Sequence, residues 1–232
     1  AAVAMAMTFD EALAACPLIA ILRGVRPEEV ESIGCSLVEA GFRLIETPLN
    51  SPDPIESVRR LRSAVGGAAV IGAGTVLTPE ELEQVASAGG ELIVSPHFDG
   101  EIVRHALARG LTPLPGVLSP SELFAARALG ARAVKLFPAE IIPPQAVKAL
   151  RAVVPRDQKL LVVGGVTPEN ISAYREAGAD GFGVGSALYA PRPQRRRTGR
   201  TRARLRARGV VVNLHAQVRI GLRERKQKPP RR

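Results

Sequence analysis

The sequence predicts a (β/α)8 barrel, and three observations carry that reading. Eight short apolar runs of strand length alternate with helical segments, their starts roughly 20–26 residues apart. Pro27-Glu28-Glu29, Thr78-Pro79-Glu80-Glu81 and Thr167-Pro168-Glu169 each put proline at a first helical position, with acids in the first turn. Ala40-Gly41, Ala88-Gly89, Leu129-Gly130 and Ala177-Gly178 each supply the glycine that stops a helix. An open doubly wound sheet is the competing architecture. Eight units, and no Gly-x-Gly-x-x-Gly after the first run, argue against it.

In chain order, Asp10 to Ala15 is a short helical lead-in. The strand-like runs follow: LIAILR from Leu18, RLIETPL from Arg43, AVIGAGT from Ala69, ELIVSP from Glu91 and LTPLPG from Leu111. AVKLFP from Ala133, KLLVVGG from Lys159 and DGFGVGS from Asp180 complete the set. From Arg192 the pattern fails. Residues 192–232 hold sixteen Lys and Arg against one acid, Glu224, while residues 1–191 hold sixteen basic and twenty-one acidic residues. The chain's net charge of +10 therefore belongs to the tail, and a like-charge block of this kind is expected to be disordered. The expected organisation is a barrel domain over 1–191, with a tail over 192–232 that replaces the last helix.

Composition narrows the function classes. The chain has 232 residues, 46% of them hydrophobic, enough for one substantial core. No run of eighteen apolar residues predicts a membrane span. Cys16 and Cys35 lack ligand or redox spacing, which points to a reduced, cytoplasmic protein. Aromatics are 3% with no Trp, too few for base-stacking platforms, so any nucleic-acid binding is expected to be non-specific and through the tail. His97, His105 and His215 are scattered, and no metal-ligand spacing occurs.

Chemistry in such barrels sits at the carboxyl ends of the strands. Lys135 lies in the most apolar run, and strand alternation puts it on one face with Ala133 and Phe137. Burial there would lower its pKa and leave a free amine, a nucleophile for carbonyl carbon. Among residues 1–191 only Lys135, Lys148 and Lys159 are lysines. Lys148 falls on a helical pattern and Lys159 at a strand entrance, both ordinary solvated places. Glu46 alternates with Leu44, and Arg23 with Ile19 and Ile21, so both extend inward faces. Glu46 facing a neutral lysine becomes a candidate proton shuttle. Gly164-Gly165 and Gly185-Ser186 end the seventh and eighth runs, where barrels bind phosphate through backbone N–H groups. An amine, a carboxylate and a phosphate cradle suit Schiff-base chemistry on a phosphorylated keto compound.

LIAILRG (18–24), IETPLNSP (45–52), IGAGTVL (71–77), LIVSP (92–96), VKLFPA (134–139) and VGGVTPEN (163–170) together resemble the class I keto-deoxy-phosphosugar-acid aldolases. The resemblance covers about residues 13–190. It implies that Lys135 is the Schiff-base lysine and Glu46 the general acid/base. It makes Thr75, Pro96 and Phe137 pocket residues, and Gly164, Gly165, Gly185 and Ser186 the phosphate site. It implies a phosphorylated keto sugar acid as substrate, no metal or organic cofactor, and a homotrimer. Gluconate-specific members carry arginine four residues after the glutamate and threonine before the Gly-Gly pair. Asn50 and Val163 stand there, and with Arg23 they look like the galactonate-specific branch. Three rivals stay open: the gluconate-specific activity of the same family, an isomerase or synthase working through a Cys/Asp or Asp/His pair, and a catalytically impaired barrel whose basic tail binds nucleic acid.

Overall fold

The computed structural model describes residues 7–190. The Arg-rich segment, with His215 and the expected disordered tail, lies outside the described residues. Among the described residues nine strands, all paired in parallel, run β1 (Leu18–Ile21), β2 (Leu44–Pro48), β3 (Val70–Gly74), β4 (Leu92–Val94), β5 (Thr112–Leu114), β6 (Gly116–Val117), β7 (Ala133–Leu136), β8 (Lys159–Val163) and β9 (Gly181–Val184). Their order in the sheet is β5-β4-β3-β2-β1-β9-β8-β7-β6. Only Pro115 separates β5 from β6, so the two ends of the order meet and the sheet curls into a nearly closed barrel. The fifth expected strand is thus split. Pro113 and Pro115 lack N–H groups, and β5 pairs only with β4 while β6 pairs only with β7.

Helix α1 (Phe9–Ala15) precedes the barrel. Between strands run α2 (Pro27–Glu39), α3 (Pro54–Val65), α4 (Pro79–Ser87), α5 (Gly100–Ala108), α6 (Pro120–Ala128), α7 (Pro144–Val153) and α8 (Ile171–Glu176). Thr8, Thr78 and Ser119 form capping boxes with Glu11, Glu81 and Glu122, each cap stabilising by about 1 kcal/mol. Gly41, Gly89, Gly130 and Gly178 all take positive φ after their helices, as the sequence predicts. The Thr167-Pro168-Glu169 signal does not start a helix; α8 begins at Ile171. Asn170 instead accepts from the Thr167 N–H (2.9 Å) and donates to the Gly165 carbonyl (2.8 Å). The turn is spent on holding the loop after β8.

Strand alternation divides the core in two. Leu18, Ala20, Ile45, Ile71, Val134, Leu136, Leu160, Val162 and Phe182 face the helices. Ile19, Leu44, Val70, Leu92, Leu114, Ala133 and Leu161 face inward and pack with Phe9, Ala12 and Leu13 of α1. Helix α1 therefore plugs the amino end of the barrel. The carboxyl ends stay open, which sets the place of the site.

Candidate active site

Above the inward apolar layer, the next residue of the same parity on β7 is Lys135, and on β2 it is Glu46. Lys135 is 7% exposed and Glu46 3%. The Lys135 Nζ sits 4.3 Å from the centroid of the Phe137 ring. Burial lowers the Lys135 pKa, Glu46 pulls it back up, and Arg23 lowers it further. Burial raises the Glu46 carboxyl to about 7, against the opposing pull of Lys135, Arg23 and a hydrogen bond from the Gly74 backbone. The two groups make no ion pair among the described residues, and Glu46 Oε2 has no hydrogen-bond partner. An amine whose pKa burial lowers and a carboxyl poised near neutral pH can exchange protons with a bound molecule in either direction.

Small residues make this possible. A Cβ on Gly74 would lie 2.2 Å from Glu46 Oε2, so any side chain there would expel the carboxylate. Thr75 follows with φ 59, a left-handed backbone that a β-branched residue adopts only under strain of about 1–3 kcal/mol. Val163 lies over Gly183, whose Cβ would come within 2.8 Å of it.

A cavity of about 460 Å³ opens at the carboxyl ends of β1, β7, β8 and β9. Arg23, Phe137, Val163, Gly164, Gly165, Gly185 and Ser186 all line it, so seven expected residues share one space. Gly164 (φ 106) and Gly165 (φ 57) both need glycine's freedom to turn. Lys135 and Glu46 belong to the deeper layer of the barrel. Thr75 and Pro96, after β3 and β4, are half-buried on the other side of the mouth and do not line this cavity. Arg23 is held by the neighbouring loop: its Nη1 donates to Asn50 Oδ1 (3.1 Å), and the Gly24 N–H donates to Ser51 Oγ (2.9 Å).

Glu140 and Tyr189 also line the cavity, and sequence reasoning passed over both. Glu140 lies on a single 3-10 turn, Ala139–Ile141, where an exposed acid looks ordinary. Tyr189 falls just beyond the last strand and its hydroxyl donates to Glu29 Oε2 (3.4 Å). Among the described residues no three His, Cys, Asp or Glu side chains are grouped to hold a metal ion.

Comparison with known proteins places this geometry. The family model described as KDPG and KHG aldolase matches residues 9–194. The 2-dehydro-3-deoxy-6-phosphogalactonate aldolase of Escherichia coli (strain K12) is 46% identical over 173 residues, 75% of this chain and 84% of that protein. A Rhizobium meliloti (strain 1021) protein named "Probable 2-dehydro-3-deoxy-6-phosphogalactonate aldolase" is 46% identical over 175 residues, 75% of this chain and 82% of its own length. A solved structure described as native KDPGal superposes with TM-score 0.80 at 40% identity, covering 89% of this chain and 96% of that one.

Proposed function

The chain belongs to the KDPG and KHG aldolase family, and we propose that it cleaves 2-dehydro-3-deoxy-6-phosphogalactonate to pyruvate and glyceraldehyde 3-phosphate through a Schiff base on Lys135. The observation that carries the mechanism is a buried lysine with a depressed pKa sharing the barrel interior with a glutamate raised to about 7.

The neutral Lys135 amine attacks the C2 ketone, the carbonyl electrons move to oxygen, and a proton passes from the new ammonium nitrogen to that oxygen to give a carbinolamine. Glu46, protonated, gives its proton to the departing hydroxyl, which leaves as water. The iminium that forms is an electron sink. Glu46, now ionised, takes the proton of the C4 hydroxyl; the C3–C4 bond breaks, its electrons pass into the enamine, and the aldehyde product is released. Glu46 gives that proton to C3, water hydrolyses the new iminium and the proton this releases returns to Glu46, freeing pyruvate and restoring the amine. Glu46 cycles between its two states within one turnover, which a pKa near 7 allows.

Arg23 holds the substrate carboxylate beside C2, since its charge reaches both Lys135 and Glu46. Phe137 covers the Lys135 amine. The N–H groups of Gly164, Gly165 and Gly185 with the Ser186 hydroxyl cradle the phosphate at the far wall. Thr75 and Pro96 bound the pyruvyl side of the mouth. Val163 offers no hydroxyl to the C4 substituent, which favours the galactonate epimer. No metal or organic cofactor enters these steps.

The placement of the two cysteines, Cys16 buried and Cys35 exposed, fits a reduced, cytoplasmic setting. We assign residues 1–191 to the catalytic domain and 192–232 to a separate basic tail that holds nucleic acid non-specifically at low salt. The working form is a homotrimer, checked by light scattering.

Borohydride reduction in the presence of pyruvate tests the chemistry. A pyruvyl adduct on the peptide carrying Lys135 is the expected result. A folded protein that forms no adduct, or forms it on Lys148 or Lys159, removes the mechanism. Side-by-side assay of the two C4 epimers tests the substrate, and a clear preference for the gluconate epimer overturns that choice.

A further inference from the structure

Glu140 is the acidic side chain that lines the cavity, and its position is fixed from below. Ala139 is 1% exposed, its carbonyl accepts from the buried Tyr174 hydroxyl (3.0 Å), and the turn closes with Ile141 N–H donating to the Pro138 carbonyl (3.2 Å). The side chain then lies against the two glycines after β8. A Cβ on Gly164 would come 2.3 Å from Glu140 Oε2, and one on Gly165 would come 3.1 Å from its Cγ and 3.4 Å from its Oε1. Only bare backbone lets the carboxylate approach so closely. Glu140 is exposed and makes neither hydrogen bond nor ion pair among the described residues, so no cation in that set neutralises it. The cation lining the same cavity is Arg23, which is bound to Asn50 at the β1–β2 side.

A backbone cradle built for tight anion binding would place lysine or arginine beside it. Here an uncompensated negative charge faces the place where the phosphate oxygens settle. The geometry points to Glu140 as the residue that sets how loosely the cradle holds phosphate, an inference that rests on reading Gly164 and Gly165 as the phosphate site. The substrate and the aldehyde product carry the same phosphate. Binding that is equally strong before and after bond cleavage does not speed the chemical step, and it delays departure of the product. Repulsion from Glu140 loosens both states alike. It therefore raises KM and product release together.

The test uses the full chain and inorganic phosphate as the probe, with affinity measured by calorimetry for the wild type, Glu140→Gln, Glu140→Asp and Gly164→Ala. Removing one nearby like charge should tighten phosphate binding roughly three- to tenfold at low ionic strength. The gain should shrink as salt is added, because the interaction is screened. Glu140→Asp keeps the charge and should stay within about twofold of wild type. In turnover, Glu140→Gln should lower KM without raising kcat. Unchanged or weaker phosphate binding by Glu140→Gln overturns the inference while leaving the cradle intact. Affinity untouched by Gly164→Ala, or no phosphate binding by any form, overturns the cradle and the inference with it.

Discussion

Two hollows of nearly equal volume lie at the two ends of the barrel: about 490 Å³ beside the α1 plug at the amino ends of the strands and about 460 Å³ at the open carboxyl ends. Volume does not tell them apart; the state of their charges does. At the amino end, the buried Arg151 guanidinium pairs with Asp180 and donates to the carbonyls of Gly178 (3.0 Å) and Gln158 (3.0 Å), and Asp180 also accepts from the Leu160 N–H (2.9 Å). Arg132 pairs with Asp10 and Arg127 with Asp157, both at 3.1 Å. Two groups there stand apart: the fully buried side-chain amide of Gln158 has no hydrogen-bond partner among the described residues, and the half-buried Lys159, in the hollow's lining, has no ion pair among them. At the carboxyl end, Lys135 and Glu46 are buried without an ion pair between them, and Thr75 sits in strained backbone. One end spends most of its charges on fixing the fold. The other keeps them unsatisfied, ready for a bound molecule.

Neighbouring strands supply the sharpest form of this contrast. Lys135 on β7 and Lys159 on β8 both fall on the inward parity, but Lys159 pairs in register with Ala133, one layer below Lys135. If position in the barrel decides chemistry, Lys135→Ala abolishes both borohydride trapping and turnover, while Lys159→Ala leaves both nearly intact. Equal loss in the two variants would break the comparison. Glu46→Gln should keep substrate binding and lower kcat by roughly 10²–10⁴, the usual worth of a positioned acid/base group. Wild-type turnover would assign the proton work elsewhere.

The amino end makes the converse claim. Arg151→Ala should leave the trapped adduct and KM near wild type in protein that remains folded. It should cost about 3–5 kcal/mol of stability, because Asp180 loses its cation and the carbonyls of Gln158, buried, and Gly178, part-buried, lose their donor. Denaturant titration measures this. A loss under about 1 kcal/mol would mean that water replaces the guanidinium, and that the paired network is no more structural than a surface ion pair.

Most of this division was legible in the residues. Period-two alternation put Lys135, Glu46 and Arg23 on inward faces, and the glycine stops fell where the chain takes positive φ. Legibility ended where local signals competed with tertiary ones. Thr167-Pro168-Glu169 has the composition of a helix start, yet Asn170 draws the segment into a turn against Gly165. The break at Pro115 is written in the sequence, but its place as the closing seam of the barrel depends on which strands meet there. Glu140 had no signal at all. An exposed acid becomes notable only when two glycines of a distant loop are found beneath it.

The smallest expected effect concerns what the unsatisfied end costs the fold. Burial raises the Glu46 carboxyl from 4.5 to about 7. Between those values the native chain keeps a proton on Glu46 that the unfolded chain has released. The stability linked to that proton is fully present below about pH 4.5 and is lost as pH rises through about 7. Glu46→Gln carries no charge at any pH and escapes the loss. At about 1.4 kcal/mol per pKa unit, the stability of Glu46→Gln relative to wild type should rise by about 2.5 kcal/mol from pH 5 to pH 8. Lys135 is present in both chains, and because Glu46 pulls its pKa up, losing the carboxyl lowers that pKa further and steepens the same rise. Denaturant titrations of both proteins at the two pH values decide it. A difference that does not change with pH would show that Glu46 ionises in the folded protein as readily as in water, and the carboxyl end would then be no more strained than the amino end.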